Sequence, residues 1–131
     1  MNRTKIEYAD YSSNAVTGCW GPGGTEEHPK RCWYCYAHRM AKRLRGRYGY
    51  PIDDPFRPTI HYTKLLLPAI KRPSRIFVCD MGDLFGDWVP EGWIRWVIAA
   101  TQMSWTKHHT YLFLTKNPKR LAEFNPWPEN A

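Results

Sequence analysis

Long apolar runs are absent from this sequence of 131 residues. A membrane-spanning helix needs a run of about 18 or more apolar residues, so none is expected here. The N-terminal stretch MNRTKIEYADYSS also lacks the apolar core of a secretory signal peptide. Internal repeats and low-complexity tracts are missing as well. The sequence therefore predicts one domain, residues 1–131, that lies in the cytoplasm and does not contact a membrane.

Cysteine is scarce, with four in the chain. A domain of this length buries about two thirds of its unfolded surface and does not need disulfides to fold, and cytoplasmic cysteines stay reduced. Cys19, Cys32 and Cys35 lie close in sequence, with twelve residues between the first two and two between the last pair. A CxxC pair with a third cysteine nearby favours a metal or cluster site. Cys79 lies in an apolar run and is predicted to be a core residue.

Basic and aromatic residues are abundant by contrast. Lys and Arg number 19 against 12 Asp and Glu, the formal net charge is +7, and the chain has seven Trp and eight Tyr. A basic excess favours contact with anions such as nucleic acid. A solvated basic face is the equally weighted alternative.

Periodicity and turn residues predict alternating helices and strands. The expected elements are a short strand near 15–17, helices at 36–48, 63–70, 90–104 and 118–124, and strands at 75–79 and 110–114. They divide the domain into a cluster loop at 14–35, the first of these helices, a Pro-rich connection at 50–74 and two β/α units at 75–124. Alternation of this kind predicts an α/β fold, a parallel sheet with crossover helices. Ligands bind at the carboxyl ends of such strands, where the cysteine loop would also lie if 15–17 is a strand.

Two metal groups compete for the three thiolates. Structural zinc needs four ligands, and Cys79, His28 or His38 would have to supply the fourth, but the usual second short-spaced pair is missing. A [4Fe–4S] cluster also takes thiolates, and three of them leave one iron open. Spacing alone does not separate these two interpretations. A third is that the three cysteines are buried, reduced and bind nothing.

Four segments together resemble a known family. NAVTGCWGPGG, RCWYCYAHRMAKRL, RIFVCDMGDLFGDWVP and HHTYLFLTKNPKRL occur in this order, and they resemble a phage- and prophage-associated three-cysteine family of the radical SAM superfamily. The resemblance implies a [4Fe–4S] cluster on Cys19, Cys32 and Cys35, with S-adenosylmethionine (SAM) on the open iron. One electron, from a donor such as a flavodoxin or ferredoxin, would cleave SAM and yield a 5′-deoxyadenosyl radical. It also implies a bacterial or phage-infected host cell.

The same resemblance suggests which residues contact SAM. They are Tyr34, Met81, Gly82, Asp83, Thr115 and Lys116. Tyr34 corresponds to an aromatic near the adenine, and the loop at 81–83 to the methionine-binding loop. Asp83 would accept from the SAM ammonium, unless it only caps a turn. Thr115 and Lys116 would meet a carboxylate or phosphate, unless the lysine is simply solvated.

Three features depart from the family and superfamily pattern. Three residues usually lie between the first two cysteines in the superfamily, whereas twelve lie between them here. Ser13 and Ala15 stand where the family usually has Trp and Pro. The superfamily core is a partial (β/α) barrel, or partial TIM barrel, of six units, and this chain supplies about half of them. The chain is therefore read as a truncated piece, a minimal member, or half of a barrel that a second chain completes.

Three functions remain open from the sequence. The first is a radical SAM enzyme of unknown substrate, with nucleic acid or a nucleotide suggested by the basic and aromatic residues. The second is a zinc-stabilised, non-catalytic module that binds nucleic acid. The third is a cluster-bearing fragment that is inactive until a partner chain binds.

Overall fold

A four-stranded sheet organises the chain in the computed structural model, which describes residues 2–5, 7–61 and 71–131. The strands are β1 (Asn2–Arg3), β2 (Tyr11–Ser13), β3 (Val16–Thr17), β4 (Thr59–Ile60), β5 (Arg75–Val78) and β6 (Thr110–Phe113). The helices are α1 (Tyr36–Arg43), α2 (Glu91–Ala100) and α3 (Pro118–Ala122). No helix in the described ranges combines the length and apolar character needed to cross a membrane.

The sheet has the strand order β1-β2-β5-β6. Strands β2, β5 and β6 run parallel, and the short β1 is antiparallel to β2. The chain between β2 and β5 contains α1, and the chain between β5 and β6 contains α2. The predicted α/β class with a parallel sheet is thus confirmed. The described strands form an open sheet and no closed barrel.

The larger core lies where α2 packs against the parallel strands. Ile76 on β5, Ile94 on α2 and Phe85 between them are completely buried, and Tyr111 on β6 is 2% exposed. The strand residues are apolar and β-branched or aromatic, which suits a strand covered on both faces. Burial of each such side chain contributes roughly 1.5–3 kcal/mol, so this core is the main apolar contribution to stability.

A second, smaller core lies beneath α1. Its buried members are Ala37, Ala41, Tyr50, Phe56 and Met81. Two of the five are alanines on the inner face of α1, so this helix approaches its neighbours closely but buries little apolar area. Cysteine side chains lie at the edge of this second core.

The long strands were predicted well, and the first parallel strand was not. The strands expected at 75–79 and 110–114 are confirmed as β5 and β6, each one residue shorter at its end. The strand expected near 15–17 exists as β3, but it pairs antiparallel with β4. The parallel strand that precedes the cysteine loop is instead β2, whose sequence YSS carries no apolar pattern.

The helices are shorter than predicted, and one predicted apolar face is confirmed only in part. The helix expected at 36–48 ends at Arg43. Of the apolar stripe expected on it at Tyr36, Met40, Leu44 and Tyr48, the middle two residues pack against the second core and the two tyrosines do not. Tyr36 and Tyr48 are 59% and 72% exposed, whereas the small Ala37 and Ala41 are buried. The second and third helices end four and two residues early, and the short helix expected at 63–70 lies outside the described residues.

Candidate functional site

A cavity of ≈ 410 Å³ lies beside the loops that follow β5 and β6. The loop after β5 contributes Cys79, Asp80, Gly82 and Asp83, the loop after β6 contributes residues 114–117, and the cysteine loop contributes Cys19, Cys32 and Cys35. Cavities of this volume hold cofactors and small ligands. The sheet therefore brings all three predicted metal-ligand thiols to the edge where α/β folds bind ligands.

Hydrogen bonds within the cysteine loop bring Cys19 and Cys32 together despite their long separation in sequence. The backbone N–H of Lys30 donates to the carbonyl of Trp20 at 2.6 Å. The intervening residues therefore form a loop whose two ends are joined by this hydrogen bond. The Arg31 Nε donates to the Cys19 carbonyl oxygen at 2.9 Å. The first and second cysteines are consequently neighbours in space although twelve residues separate them.

Glycine is required at the base of this loop. Gly21 has φ +87°, and a Cβ there would overlap the Lys30 carbonyl group. Gly24 lies equally close to the Trp20 carbonyl group, whereas Gly23, with φ +72°, has no atom near the position of a Cβ. The glycines at 21 and 24 thus permit the loop closure, and Gly23 supplies only a turn.

Arg31 anchors the closed loop to the rest of the molecule. Its Nη2 pairs with Asp54 Oδ2 at 2.9 Å, and its side chain is 16% exposed. The guanidinium lies over the Trp20 ring, 4.7 Å from the ring centroid, and over Phe56 at 5.6 Å. A partly buried arginine that donates to two separate partners and stacks on aromatic rings fixes a backbone position more firmly than a surface ion pair.

Cys35 occupies the start of α1. Its N–H donates to the Cys32 carbonyl oxygen at 3.1 Å, which closes the CxxC turn. Its Sγ accepts a hydrogen bond from the His38 N–H at 3.4 Å and so caps the helix. Hydrogen bonds to sulfur are a usual feature of ligating cysteines.

The other two thiols differ in their electrostatic environment. Burial raises the pKa of Cys19 to about 11, although its Sγ accepts a hydrogen bond from the Gly21 N–H at 3.2 Å. The Lys116 ammonium donates to Cys32 Sγ at 3.1 Å and lowers the pKa of that thiol. Cys32 is therefore the readier thiolate, and binding of a cation at Cys19 must displace its proton.

Asp83 ties the loops after β5 and β6 together. Its Oδ1 accepts from the Thr115 hydroxyl at 2.6 Å and from the Phe85 N–H at 3.0 Å. Its Oδ2 accepts from the Lys116 N–H at 3.0 Å. The turn-capping role that was the alternative for Asp83 is thus present, and the carboxylate also sets the position of Thr115 and Lys116.

Tyr34 and Met81 do not line the cavity, unlike Gly82, Asp83, Thr115 and Lys116. Tyr34 is largely exposed, and its hydroxyl lies 3.1 Å from Lys116 Nζ at the rim. Met81 is buried in the second core, and its carbonyl accepts from the Gly18 N–H at 2.9 Å. A Cβ on Gly82 would lie 2.5 Å from the Gly18 carbonyl oxygen, so glycine is needed where these two backbones meet.

Two polar atoms in the wall of the cavity were not predicted from the sequence. Asp80 Oδ1 and Trp88 Nε1 are buried and have no hydrogen-bond partner among the described residues, and both residues line the cavity. A buried acceptor or donor without a partner costs about 1–3 kcal/mol. Both atoms are covered by protein, so they do not face the open volume of the cavity.

Cys79 was expected in the core and is indeed 3% exposed. Its backbone has φ +60°, which ends β5, and burial raises the pKa of its thiol to about 12. It also forms part of the cavity wall. The zinc interpretation had named Cys79 as a possible fourth ligand, but its left-handed backbone could not be read from the neighbouring residues.

Comparison with known proteins identifies the family. A family model described as "Protein of unknown function (DUF5131)" matches residues 3–131. The chain belongs to the DUF5131 family. No curated protein and no solved structure matched it. The activity of this DUF5131 chain must therefore be inferred from its own residues.

The donor set of the DUF5131 chain is sulfur-rich. The cavity wall carries four cysteines and, within the described ranges, no histidine. In those ranges, no group of three or more His, Cys, Asp or Glu side chains is arranged to hold a metal ion. The thiols thus share one cavity without converging on a single point.

Proposed function

We propose that this chain binds a [4Fe–4S] cluster on Cys19, Cys32 and Cys35 and uses it with SAM for radical chemistry. The observation that carries the proposal is that these three thiols and the loops after β5 and β6 line one cavity. The parallel order β2-β5-β6 also suits the first units of a partial (β/α) barrel. The choice of a [4Fe–4S] cluster with SAM as the bound cofactors comes from the resemblance to the radical SAM superfamily.

The donors suit a cluster better than a single zinc ion. A zinc ion requires its ligands to converge on one atom, whereas cubane ligands bind separate irons and stand further apart. The resemblance assigns three thiolates, which is the number that a cluster with one open iron requires, whereas structural zinc needs four ligands. N–H groups of Gly21 and His38 already donate to two of the sulfurs, as is usual for cluster ligands.

Charged residues of the cavity wall suit the amino-acid part of SAM. Asp83 would accept from its ammonium, and Lys116 would meet its carboxylate. When bound, cluster and SAM would supply reductive cleavage of the sulfonium and abstraction of a substrate hydrogen atom. The electron would come from an external donor such as a flavodoxin or ferredoxin.

The chain's own residues hold the site and exclude water from it. Arg31 and the closed loop fix Cys19, while Asp83 fixes the two opposing loops. Phe56 and Phe77 contribute to a wall that is mainly apolar. Radical chemistry requires such enclosure from the protein, because the cluster and SAM would themselves supply the bond cleavage.

A four-cysteine zinc site is the second candidate, and one observation favours it. Cys79 lines the same cavity as the other three cysteines, so four thiols are available. This candidate predicts one zinc per chain and loss of zinc in a Cys79→Ala variant. The cluster proposal predicts that Cys79→Ala retains its iron.

A partner chain that extends the sheet would meet resistance at β6. The N–H of Tyr111, on the edge of this strand away from β5, donates to the Asn130 carbonyl oxygen at 2.7 Å. Residues near Asn130 also pack on the core, since Trp127 contacts the ring of Phe85 at 5.8 Å between centroids. Completion of a barrel at this edge would require this segment to move aside.

The direct test is SAM cleavage by reconstituted, reduced protein under anaerobic conditions. We expect release of 5′-deoxyadenosine, with loss of release in Cys32→Ala and retention in Cys79→Ala. Protein that carries its full iron content but releases no 5′-deoxyadenosine would contradict the enzymatic part of the proposal. If release then appeared only after addition of a second chain, the fragment interpretation would replace it.

A further inference from the structure

The positive charge of the chain is concentrated in residues 28–52. This segment contains seven of the 19 Lys and Arg residues and none of the 12 Asp and Glu residues. The remainder of the chain therefore has 12 residues of each sign and is neutral overall. Charge asymmetry of this degree marks a surface that meets an anion.

Five of these seven cations lie on the outer side of α1 and just beyond it. The inner side of the helix buries Ala37 and Ala41, and the basic side chains are exposed on the remaining surface. They are Arg39, Lys42, Arg43, Arg45 and Arg47. None of the ion pairs found among the described residues involves any of these five. Their charges are thus available to a partner.

Exposed aromatic side chains accompany these cations. Trp33 is 92% exposed and Tyr48 is 72% exposed, with Tyr34 and Tyr36 both more than half exposed. Single exposed aromatic side chains are common on protein surfaces. A group of them beside cations, by contrast, indicates an interaction surface. We call residues 33–48 the basic aromatic strip.

We propose that the basic aromatic strip binds single-stranded nucleic acid. Phosphates attract the arginines and lysine, while unstacked bases stack on Trp33, Tyr36 and Tyr48. An acidic protein partner would use the cations but would leave the flat aromatic faces without matching groups. Duplex nucleic acid keeps its bases stacked internally and so would use only the charges.

The strip begins at the rim of the cavity. The Tyr34 hydroxyl lies 3.1 Å from Lys116 Nζ, and Lys116 lines the cavity. A strand bound along the strip would pass this opening. Binding needs only the strip and does not depend on the cluster proposed above, so the two proposals fail separately.

The test is fluorescence anisotropy with labelled 15-nucleotide oligo(dT) and oligo(U), and with a duplex of the same length. We expect single strands to bind more tightly than the duplex, and Trp33→Ala to weaken single-strand binding roughly tenfold. Trp33→Phe should restore most of this loss, because phenylalanine retains a stacking face. Binding should be the same for cluster-free and reconstituted protein.

Matched charge variants separate the strip from general attraction. Lys42→Gln with Arg43→Gln should lower affinity and reduce the salt slope of log K by about 1.4, at about 0.7 per phosphate contact. Lys71→Gln with Lys107→Gln makes the same charge change outside the strip and should have little effect. Circular dichroism would confirm that all variants are folded.

Five results would overturn the proposal. Four are absence of binding, equal losses in the two charge variants, duplex binding as tight as single-strand binding, and no effect of Trp33→Ala. The fifth is displacement of the oligonucleotide by polyglutamate at an equal concentration of charge, which would favour an acidic protein partner.

Discussion

The two sides of the cavity are stabilised in different ways. The sheet side, formed by β5, β6 and α2, rests on large side chains that are almost completely buried, such as Phe85 and Ile94. The cysteine side rests on a small core with two alanines, on backbone hydrogen bonds and on Arg31. A rigid wall therefore faces a loop whose position depends on a few polar contacts.

This difference has a consequence for ligand binding. A group held by thiolates on the cysteine side would add its binding free energy to the part of the molecule with the least apolar burial. The sheet side would keep its structure without the group.

The largest effect is expected from Phe85→Ala. Phe85 is completely buried and contacts the rings of Phe113, Phe124 and Trp127 at centroid distances near 6 Å. Its truncation should lower the free energy of unfolding by about 3–5 kcal/mol, as measured by urea denaturation. A loss below about 1 kcal/mol would mean that this aromatic group does not form the core.

A smaller loss is expected from Arg31→Ala on the cysteine side. The variant leaves the Cys19 carbonyl oxygen and Asp54 without their shared donor, so we expect a loss of about 1.5–3 kcal/mol in unfolding free energy. Arg57→Ala is the matched control. Its partner Asp53 is 67% exposed, and removal of such a surface pair should cost at most about 1 kcal/mol. Equal losses in the two variants would contradict the anchoring role of Arg31.

Next in size is the effect of alanine at Gly21, compared with Gly23. Both glycines have positive φ, so each substitution costs about 1–2 kcal/mol in backbone conformation. Only at Gly21 does the new Cβ also overlap the Lys30 carbonyl group. We expect Gly21→Ala to destabilise the protein more and to open the loop to limited proteolysis. Identical cleavage patterns would argue against the closed base of the loop.

The smallest effect is expected from Asp83→Asn. The amide keeps one acceptor oxygen, so we expect a loss of only about 0.5–1.5 kcal/mol. Asp87, whose Oδ1 accepts from Asn117 Nδ2 at an exposed position, is the control, and Asp87→Asn should lie within about 0.5 kcal/mol of the parent. Thermal denaturation of both variants checks this. A larger loss at position 87 would contradict the assignment of loop coupling to Asp83.

The sheet side was the more predictable of the two. The residues IFV of β5 indicate a buried strand because they are apolar and either β-branched or aromatic. The stretch TYLFL indicates β6 for the same reason. The YSS sequence of β2 does not, because Ser12 and Ser13 are polar although they are 8% and 6% exposed. Their place in the sheet is set by pairing with β5, which is a tertiary contact.

On the cysteine side, the sequence predicted the residues and missed their arrangement. The thiols were identified from residue type and spacing. The closure of the loop, however, depends on a backbone hydrogen bond between Lys30 and Trp20. The unpartnered atoms of Asp80 and Trp88 depend on where two loop residues are buried. The predicted face of α1 was half right, since Met40 and Leu44 pack against the second core. The two tyrosines are exposed instead, because small alanines allow the helix to approach its core.

The central claim is that three thiolates hold a cluster with an open iron. Its most direct test is the iron, sulfide and zinc content of anaerobically purified protein, with an EPR spectrum of the reduced protein before and after addition of SAM. A [4Fe–4S] cluster with one open iron predicts about four irons and four sulfides per chain, and an EPR spectrum that changes when SAM is added. One zinc per chain and no iron would contradict it.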